Sequence, residues 1–163
     1  MEFFCPSIGR DYTTKEFKRD LKEVLRLTGV EATRTCLFVE DYQLLQPEFL
    51  EFLNSLISAG EVPGLYTPQE LEPVLMSLKE EMSNQYECKT SFEFFVSRVK
   101  RNLAVVLNLN YQHPDFPAWT AQNPALFSKC TIIWSEGWSK ESLHTVAGAR
   151  LRDVAHDIGD KLE

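Results

Sequence analysis

The chain has 163 residues and a formal net charge of -7, with 44% apolar and 25% charged residues. This length and composition are typical of one globular domain that can bury a sizeable core. The negative charge argues against nucleic acid as the main partner, because phosphate binding requires a basic surface. No apolar run approaches about 18 residues, so we expect no direct membrane insertion. The four cysteines form no CxxC pair, and we expect reduced thiols in a cytosolic compartment.

Helical patterns account for much of the chain. Thr14 can cap the first helix, and Thr67 with Glu70 has the spacing of a capping box. Gly29 and Gly60 stand where a helix end needs a left-handed backbone. The predicted helices run from Lys15 to about Thr28, from Pro47 to Gly60, from Pro68 to about Met82, from Thr90 or Ser91 past Val99, and from Ser139 to about Gly159, with residues 83–87 as a polar connection.

Apolar runs of strand length lie between these helices. Cys36–Val39 and Leu103–Asn110 predict strands that are buried on both faces, as in a parallel sheet covered by helices. Phe3–Pro6 predicts a short first strand. Thr131–Trp134 predicts a further buried strand, and Trp134 and Trp138 are expected to pack in the core. Strands that alternate with helices favour βαβ units, so the predicted fold is a three-layer α/β/α sandwich with a mainly parallel sheet.

Polar side chains stand at the end of two of these predicted strands. Glu40 and Asp41 follow the first, and Asn108 and Asn110 lie at the end of the second. The carboxyl ends of parallel strands meet at the edge where open α/β sheets bind ligands. An apolar strand followed by an acid is the pattern that holds Mg²⁺ in P-loop nucleotidases. A buried strand that runs into a solvated turn has the same pattern, so the context must decide between the two.

The phosphate-binding loop of such enzymes is absent from the sequence. A P-loop has the pattern GxxxxGK[ST], whose backbone N–H groups hold the phosphates, and Ile8-Gly9-Arg10 lacks the second glycine and the lysine. We therefore expect the chain by itself not to hydrolyse ATP efficiently. The abrupt first strand suggests that a P-loop strand and helix lie upstream of it. The three histidines have no metal-ligand spacing, which disfavours a metal-dependent hydrolase built on the two acids; they are His113, His144 and His156.

Several longer motifs resemble the dynein heavy-chain family. Phe49–Leu65, with the sequence FLEFLNSLISAGEVPGL, looks like the dynein pattern FLE-x-(I/M)-N-x-LL-x-SGE(V/I)PGL. Asn123–Cys130 and the two tryptophans that follow it are similar to a second dynein signature. Glu40–Gln43 and Tyr66–Pro73 look closest to the cytoplasmic dynein 2 branch, the motors of intraflagellar transport. Nearly the whole chain resembles the large α/β part of the fourth AAA+ module, a partial P-loop fold.

The resemblance implies roles for the polar residues at the strand ends. Glu40 would take the metal-holding position and Asp41 the water-activating position, which reverses the usual Asp-Glu order. Because aspartate is one methylene shorter, hydrolysis is in doubt even in the intact module. Asn110, or alternatively Asn108, would contact the nucleotide as the sensor, although both could simply form turns. Lys129 would stand at the position of an arginine finger toward the preceding module, or be a surface lysine at that interface.

The resemblance also implies a fragment of a minus-end-directed, ATP-hydrolysing microtubule motor. Residues 1–163 would form a single domain, the large subdomain, with the helix from about 139 to 163 leading toward the small subdomain and the stalk. The intact module would take ATP or ADP with Mg²⁺, and no cofactor is expected in the isolated fragment. The implied partners are neighbouring AAA+ modules, dynein light and intermediate chains and the microtubule, in the cytoplasm, cytoskeleton and cilium or flagellum. The alternative is a catalytically inactive P-loop-like adaptor or interaction domain.

Overall fold

The computed structural model describes residues 1–82 and 90–159, so the predicted connection at 83–87 lies outside the described residues. The chain divides into two compact units, Met1–Thr131 and Ile132–Glu163. The described part of the first unit contains a parallel sheet in the order β1-β2-β3. Its strands are β1 (Glu2–Phe4), β2 (Thr35–Glu40) and β3 (Leu103–Asn108). The predicted α/β fold with a parallel sheet is confirmed.

Helices and short helical turns connect these strands. The first unit contains α1 (Thr14–Leu25), a π-helical turn (Arg26–Val30), a 3₁₀ turn (Asp41–Gln43), α2 (Pro47–Ala59), α3 (Pro68–Ser77), α4 (Lys79–Met82), α5 (Ser91–Asn102), α6 (Phe116–Gln122) and α7 (Ala125–Ser128). The second unit contains α8 (Lys140–Gly159). No helix in the described ranges has both the length and the apolar character that a membrane crossing requires.

Local sequence signals explain several helix ends. The capping box of Thr67 and Glu70 forms at the start of α3, and Gly60 ends α2 with a left-handed φ of 74°. Thr13, rather than Thr14, caps α1. Gly29 lies inside the π-helical turn and is not a left-handed helix end. A Cβ at Gly29 would lie 2.3 Å from the ring of Phe95, so a side chain there would require the ring to shift.

The hydrophobic core lies between the sheet and the helices α1, α2 and α5. Leu37 and Val39 of β2 are fully buried in it. The rings of Phe17 and Phe49 stack beside them with their centroids 4.2 Å apart. Burying a side chain of this size stabilises a fold by about 1.5–3 kcal/mol relative to leaving it exposed. The core therefore fixes β2, the strand that leads to Glu40 and Asp41.

The opposite face of the sheet carries the alternate residues of the same strands. The register pairs Phe3 with Cys36 and Phe38 with Val106, which places all four on this face. Cys36 is buried, but Phe3 is 67% and Val106 is 44% exposed. The core helices therefore cover one face, and the second face keeps exposed apolar area.

Residues 131–134 form no strand in the structure, contrary to the prediction. Ile133 is 87% exposed, and Trp134 and Trp138 are 64% and 63% exposed, so the two tryptophans are not core residues either. A buried strand needs neighbouring strands and a covering layer as well as an apolar run. The sequence pattern reports only the apolar run.

Some predicted boundaries also differ from the structure. β1 ends at Phe4 rather than Pro6, and Cys5, just beyond its end, is exposed. β3 ends at Asn108 and not at Asn110. The predicted helix that begins at Pro68 is divided into α3 and α4 at Leu78, whose side chain is buried in the core.

Candidate functional site

The carboxyl ends of β2 and β3 lie side by side. Glu40 and Asn108 are register partners in the parallel pair, and Asn108 Nδ2 lies 3.3 Å from Glu40 Oε1. This confirms the prediction that the strand ending in the acid and the strand ending in asparagine are neighbours. The structure therefore places a carboxylate and an amide together at the edge where parallel sheets bind ligands.

Asn110 lies beyond the end of β3 and forms a turn. Its Oδ1 accepts a hydrogen bond from the backbone N–H of Gln112 at 3.0 Å. Its carbonyl oxygen accepts a hydrogen bond from the N–H of His113, also at 3.0 Å. Of the two candidate asparagines, Asn108 is the one that contacts Glu40. The sensor role stays a prediction for either residue.

The turn after β2 supplies further contacts at this edge. Asp41 opens the 3₁₀ turn, and its Oδ1 accepts the backbone N–H of Tyr42 at 2.8 Å. A hydrogen bond between the Tyr42 hydroxyl and the Glu40 carboxylate raises the pKa of that phenol above its ordinary value. The Glu40 carboxylate thus has hydrogen-bond partners from its own turn and from β3. These contacts orient the Glu40 carboxylate toward β3. The Asp41 carboxylate instead accepts a hydrogen bond within its own turn.

Sequence reasoning missed Gln43, the last residue of this turn. Gln43 is only 2% exposed, which is unusual for an amide side chain. Its Nε2 donates to the carbonyl oxygen of Pro6 at 2.6 Å, and its Oε1 accepts the N–H of Glu40 at 2.8 Å. The contact with Glu40 is the local one of a capping box, but nothing in the local sequence signals the contact with Pro6, which is 37 residues away along the chain.

Lys129 lies at the other end of the sheet. It is exposed, and with Lys100, Gly60 and Leu103 it lines an open cleft of about 410 Å³ near the start of β3. The five steps from Leu103 to Asn108 span about 17 Å of extended strand. Lys129 is therefore not brought together with Glu40, Asp41 or Asn108.

The carboxylates of Glu40 and Asp41 suit the way in which nucleotide sites usually hold Mg²⁺. Nucleotide sites usually bind this ion through one or two carboxylates together with phosphate oxygens and water. Glu40 offers one carboxylate at the strand end, and Asp41 is the next residue. Within residues 1–82 and 90–159, no group of three or more His, Cys, Asp and Glu side chains could hold a metal by itself. The residues therefore fit an ion that arrives with a nucleotide, and not a centre made of protein ligands alone.

Comparison with known proteins is consistent with this geometry. Residues 1–162 match the family described as P-loop containing dynein motor region D4. The cytoplasmic dynein 2 heavy chain 1 of Homo sapiens is 46% identical over 143 residues, which are 88% of this chain and 3% of that protein. The proteins of the same name from Tripneustes gratilla and Chlamydomonas reinhardtii are 41% identical over 160 residues and 43% identical over 157 residues. These matches cover 98% and 94% of this chain and 4% of each relative.

Proposed function

Because the chain belongs to the family of P-loop containing dynein motor region D4, we propose that it forms part of a degenerate nucleotide module in a dynein motor. Its role there is structural and regulatory, with little or no hydrolysis of its own. The adjacency of Glu40 and Asn108 at the carboxyl edge of the sheet is the observation that carries this proposal. A catalytically inactive adaptor remains the alternative, and an absence of nucleotide at this edge would favour it.

The proposed module binds ATP or ADP with Mg²⁺ through residues from more than this chain. When bound, Mg²⁺ supplies positive charge that offsets the charge of the phosphates. Glu40 would hold the ion, and Asn108, whose Nδ2 donates to Glu40 Oε1, would keep that carboxylate in place and offer its amide to the nucleotide. Asp41 stands where a water-activating acid would be, but its short side chain bonds to the N–H of Tyr42. Weak hydrolysis follows, because a general base must lie within hydrogen-bond reach of the water.

Lys129 acts, in this proposal, on a neighbouring module and not on its own. Its position near the start of β3 places it about a strand length from Glu40. A lysine keeps the positive charge of an arginine but loses the planar guanidinium that binds phosphate oxygens in pairs. Its contribution to a neighbouring site is therefore electrostatic and smaller than that of an arginine.

The parent protein is proposed to be a minus-end-directed microtubule motor of retrograde intraflagellar transport. The names of the human, sea urchin and algal relatives support this, and the chain spans 3 to 4% of their length. Its proposed partners are the neighbouring AAA+ modules, the light and intermediate chains and the microtubule. The proposed location is the cytoplasm, the cytoskeleton and the cilium or flagellum.

The test replaces Glu40 by glutamine in the complete heavy chain and measures nucleotide occupancy of this module alone. Photolabelling with 8-azido-ATP, followed by mass spectrometry of peptides from this chain, reads that occupancy at rising Mg²⁺ concentrations. We expect the Mg²⁺ concentration for half-maximal labelling to rise by roughly ten- to a hundredfold, as for loss of a charged hydrogen-bonding group. Microtubule gliding should change much less.

Two further variants make this result specific. Glu51 is an exposed glutamate on α2, and Glu51→Gln should leave the labelling unchanged. Asp41→Asn should leave the steady-state ATPase rate of the heavy chain nearly unchanged if the module does not hydrolyse nucleotide. Complete loss of gliding with Glu40→Gln, or labelling that does not depend on Glu40, would contradict the proposed function.

A further inference from the structure

Gln43 joins two chain segments at the carboxyl edge of the sheet. Its Nε2 donates to the carbonyl oxygen of Pro6 at 2.6 Å and lies 3.4 Å from the Cys5 sulfur. Its Oε1 accepts the backbone N–H of Glu40 at 2.8 Å. The side chain is 2% exposed, so these contacts replace the hydrogen bonds that water would otherwise make. Both ends of the amide are used inside the protein.

The backbone hydrogen bonds between β1 and β2 do not extend as far as Glu40. The pairing of β1 with β2 stops at Phe4 and Leu37, three residues before Glu40. Beyond Cys5 the chain contains Pro6, which has no N–H and cannot extend the ladder as a donor. On the β1 side, the backbone N–H of Glu40 therefore finds its partner in a side chain. Gln43 substitutes for the strand residue that β1 lacks.

We propose that Gln43 is a positioning residue for the Mg²⁺-nucleotide edge, acting through Glu40. By holding the Glu40 backbone against the exit of β1, it sets the direction in which the carboxylate leaves β2. That direction places Glu40 Oε1 3.3 Å from Asn108 Nδ2. A backbone that is free to shift at Glu40 would spread the carboxylate over several directions, and its effective affinity for the ion would fall. This inference rests on the proposed function of the same edge.

The test uses Gln43→Met in the complete heavy chain, because methionine keeps the length and apolar packing but removes all three contacts. The readout is 8-azido-ATP labelling of peptides from this chain, titrated with MgCl₂. We expect the half-maximal Mg²⁺ concentration to rise by about three- to tenfold, the range that corresponds to one net hydrogen bond. Gln43→Asn, which keeps the amide but is one methylene too short to span both partners, should shift it in the same direction. This second variant carries the test if the methionine variant does not fold.

A double-mutant cycle separates positioning from general stability. In the Glu40→Gln background, Gln43→Met should change the Mg²⁺ requirement by less than about twofold, because the group that it positions is gone. Asn54→Leu is the matched control, since it removes a 2.9 Å hydrogen bond to the N–H of Ala125 that joins α2 to the start of α7, away from the edge. That variant should not alter the Mg²⁺ requirement.

Two results would overturn the inference. The first is an equal shift by Gln43→Met in both backgrounds, which would mean that Gln43 only stabilises the fold. The second is no shift by either Gln43 variant while Glu40→Gln raises the Mg²⁺ requirement, which refutes the positioning role and leaves the proposed function intact. If Glu40→Gln itself has no effect, the proposed function fails, and this inference fails with it.

Discussion

Two apolar runs of this chain differ in what surrounds them. Residues Thr35–Glu40 lie between β1 and β3, and Leu37 and Val39 are completely buried in the hydrophobic core. Residues 131–134 are just as apolar, yet they form no strand, and Ile133 is 87% exposed. The difference shows that apolar character is sufficient for burial only where neighbouring strands and a helical layer are present. The first run therefore holds Glu40 at the end of a strand, whereas the second forms no strand that could hold a functional group.

The largest expected effect compares one leucine of the buried run with one isoleucine of the exposed run. Leu37→Ala removes a fully buried side chain and should lower the free energy of unfolding by about 2–5 kcal/mol, because it leaves a cavity in the core. Ile133→Ala should change it by less than about 0.5 kcal/mol. Urea unfolding of the two variants and the parent chain measures both values. Similar losses for the two variants would mean that the second run is packed in solution.

A smaller effect is expected from two glycines, one in each unit. Gly29→Ala would place a Cβ 2.3 Å from the Phe95 ring and should cost about 1–3 kcal/mol, as overpacking of a core does. Gly148 lies in α8, and within 4 Å an added Cβ there meets no atom of the described residues beyond the adjoining backbone of its own helix. Gly148→Ala should be neutral or stabilise its helix by about 0.5–1 kcal/mol. Thermal unfolding of the two variants measures whether stability falls for Gly29→Ala and stays or rises for Gly148→Ala. A Gly29→Ala protein as stable as the parent chain would show that Phe95 can move away.

Local chemistry explains which parts of the fold could be predicted from the sequence. The helix signals at Thr67 and Gly60 depend on a few neighbouring residues, and the structure confirms both. The strand that ends at Glu40 was predictable because its apolar run suits burial on two faces. Its neighbour β3 was predicted from the same pattern, and so was the contact of the strand ends, although β3 stops at Asn108 and is not buried on both faces as predicted, since Val106 is 44% exposed.

The features that the sequence did not reveal depend on distant contacts. The π-helical turn is held by α5, where Arg98 Nη2 donates to the carbonyl oxygen of Val30 at 2.6 Å and Asn102 Nδ2 to that of Thr28 at 3.0 Å. No pattern within Arg26–Val30 indicates these partners. The contact of Gln43 with Pro6 is hidden in the same way, because it forms only when two distant segments meet in the fold. The sequence therefore predicted the position of the Glu40 carboxylate, but not the contact between Gln43 and Pro6 that lies behind it.

The smallest expected effect concerns a charged contact of the first unit. Lys22 Nζ lies 2.6 Å from Glu70 Oε1 and joins α1 to the start of α3. The hydrogen bond from Lys22, followed by that from the Thr67 backbone, lowers the pKa of Glu70 to about 2 from its ordinary value of 4.5. A carboxyl group whose pKa is lower in the folded state stabilises the fold fully above its ordinary pKa. That contribution is lost as the pH falls from about 4.5 toward 2.

The variant Lys22→Met removes the largest cause of this shift and should weaken the pH dependence of stability. We expect the drop in Tm between pH 5 and pH 2.5 to be smaller in the variant than in the parent chain, with the two curves converging at the acidic end. Lys140→Met, which removes an exposed lysine of α8, should leave the drop unchanged. An equal drop in the parent chain and in Lys22→Met would show that solvent screens this exposed pair, as it does many surface salt bridges.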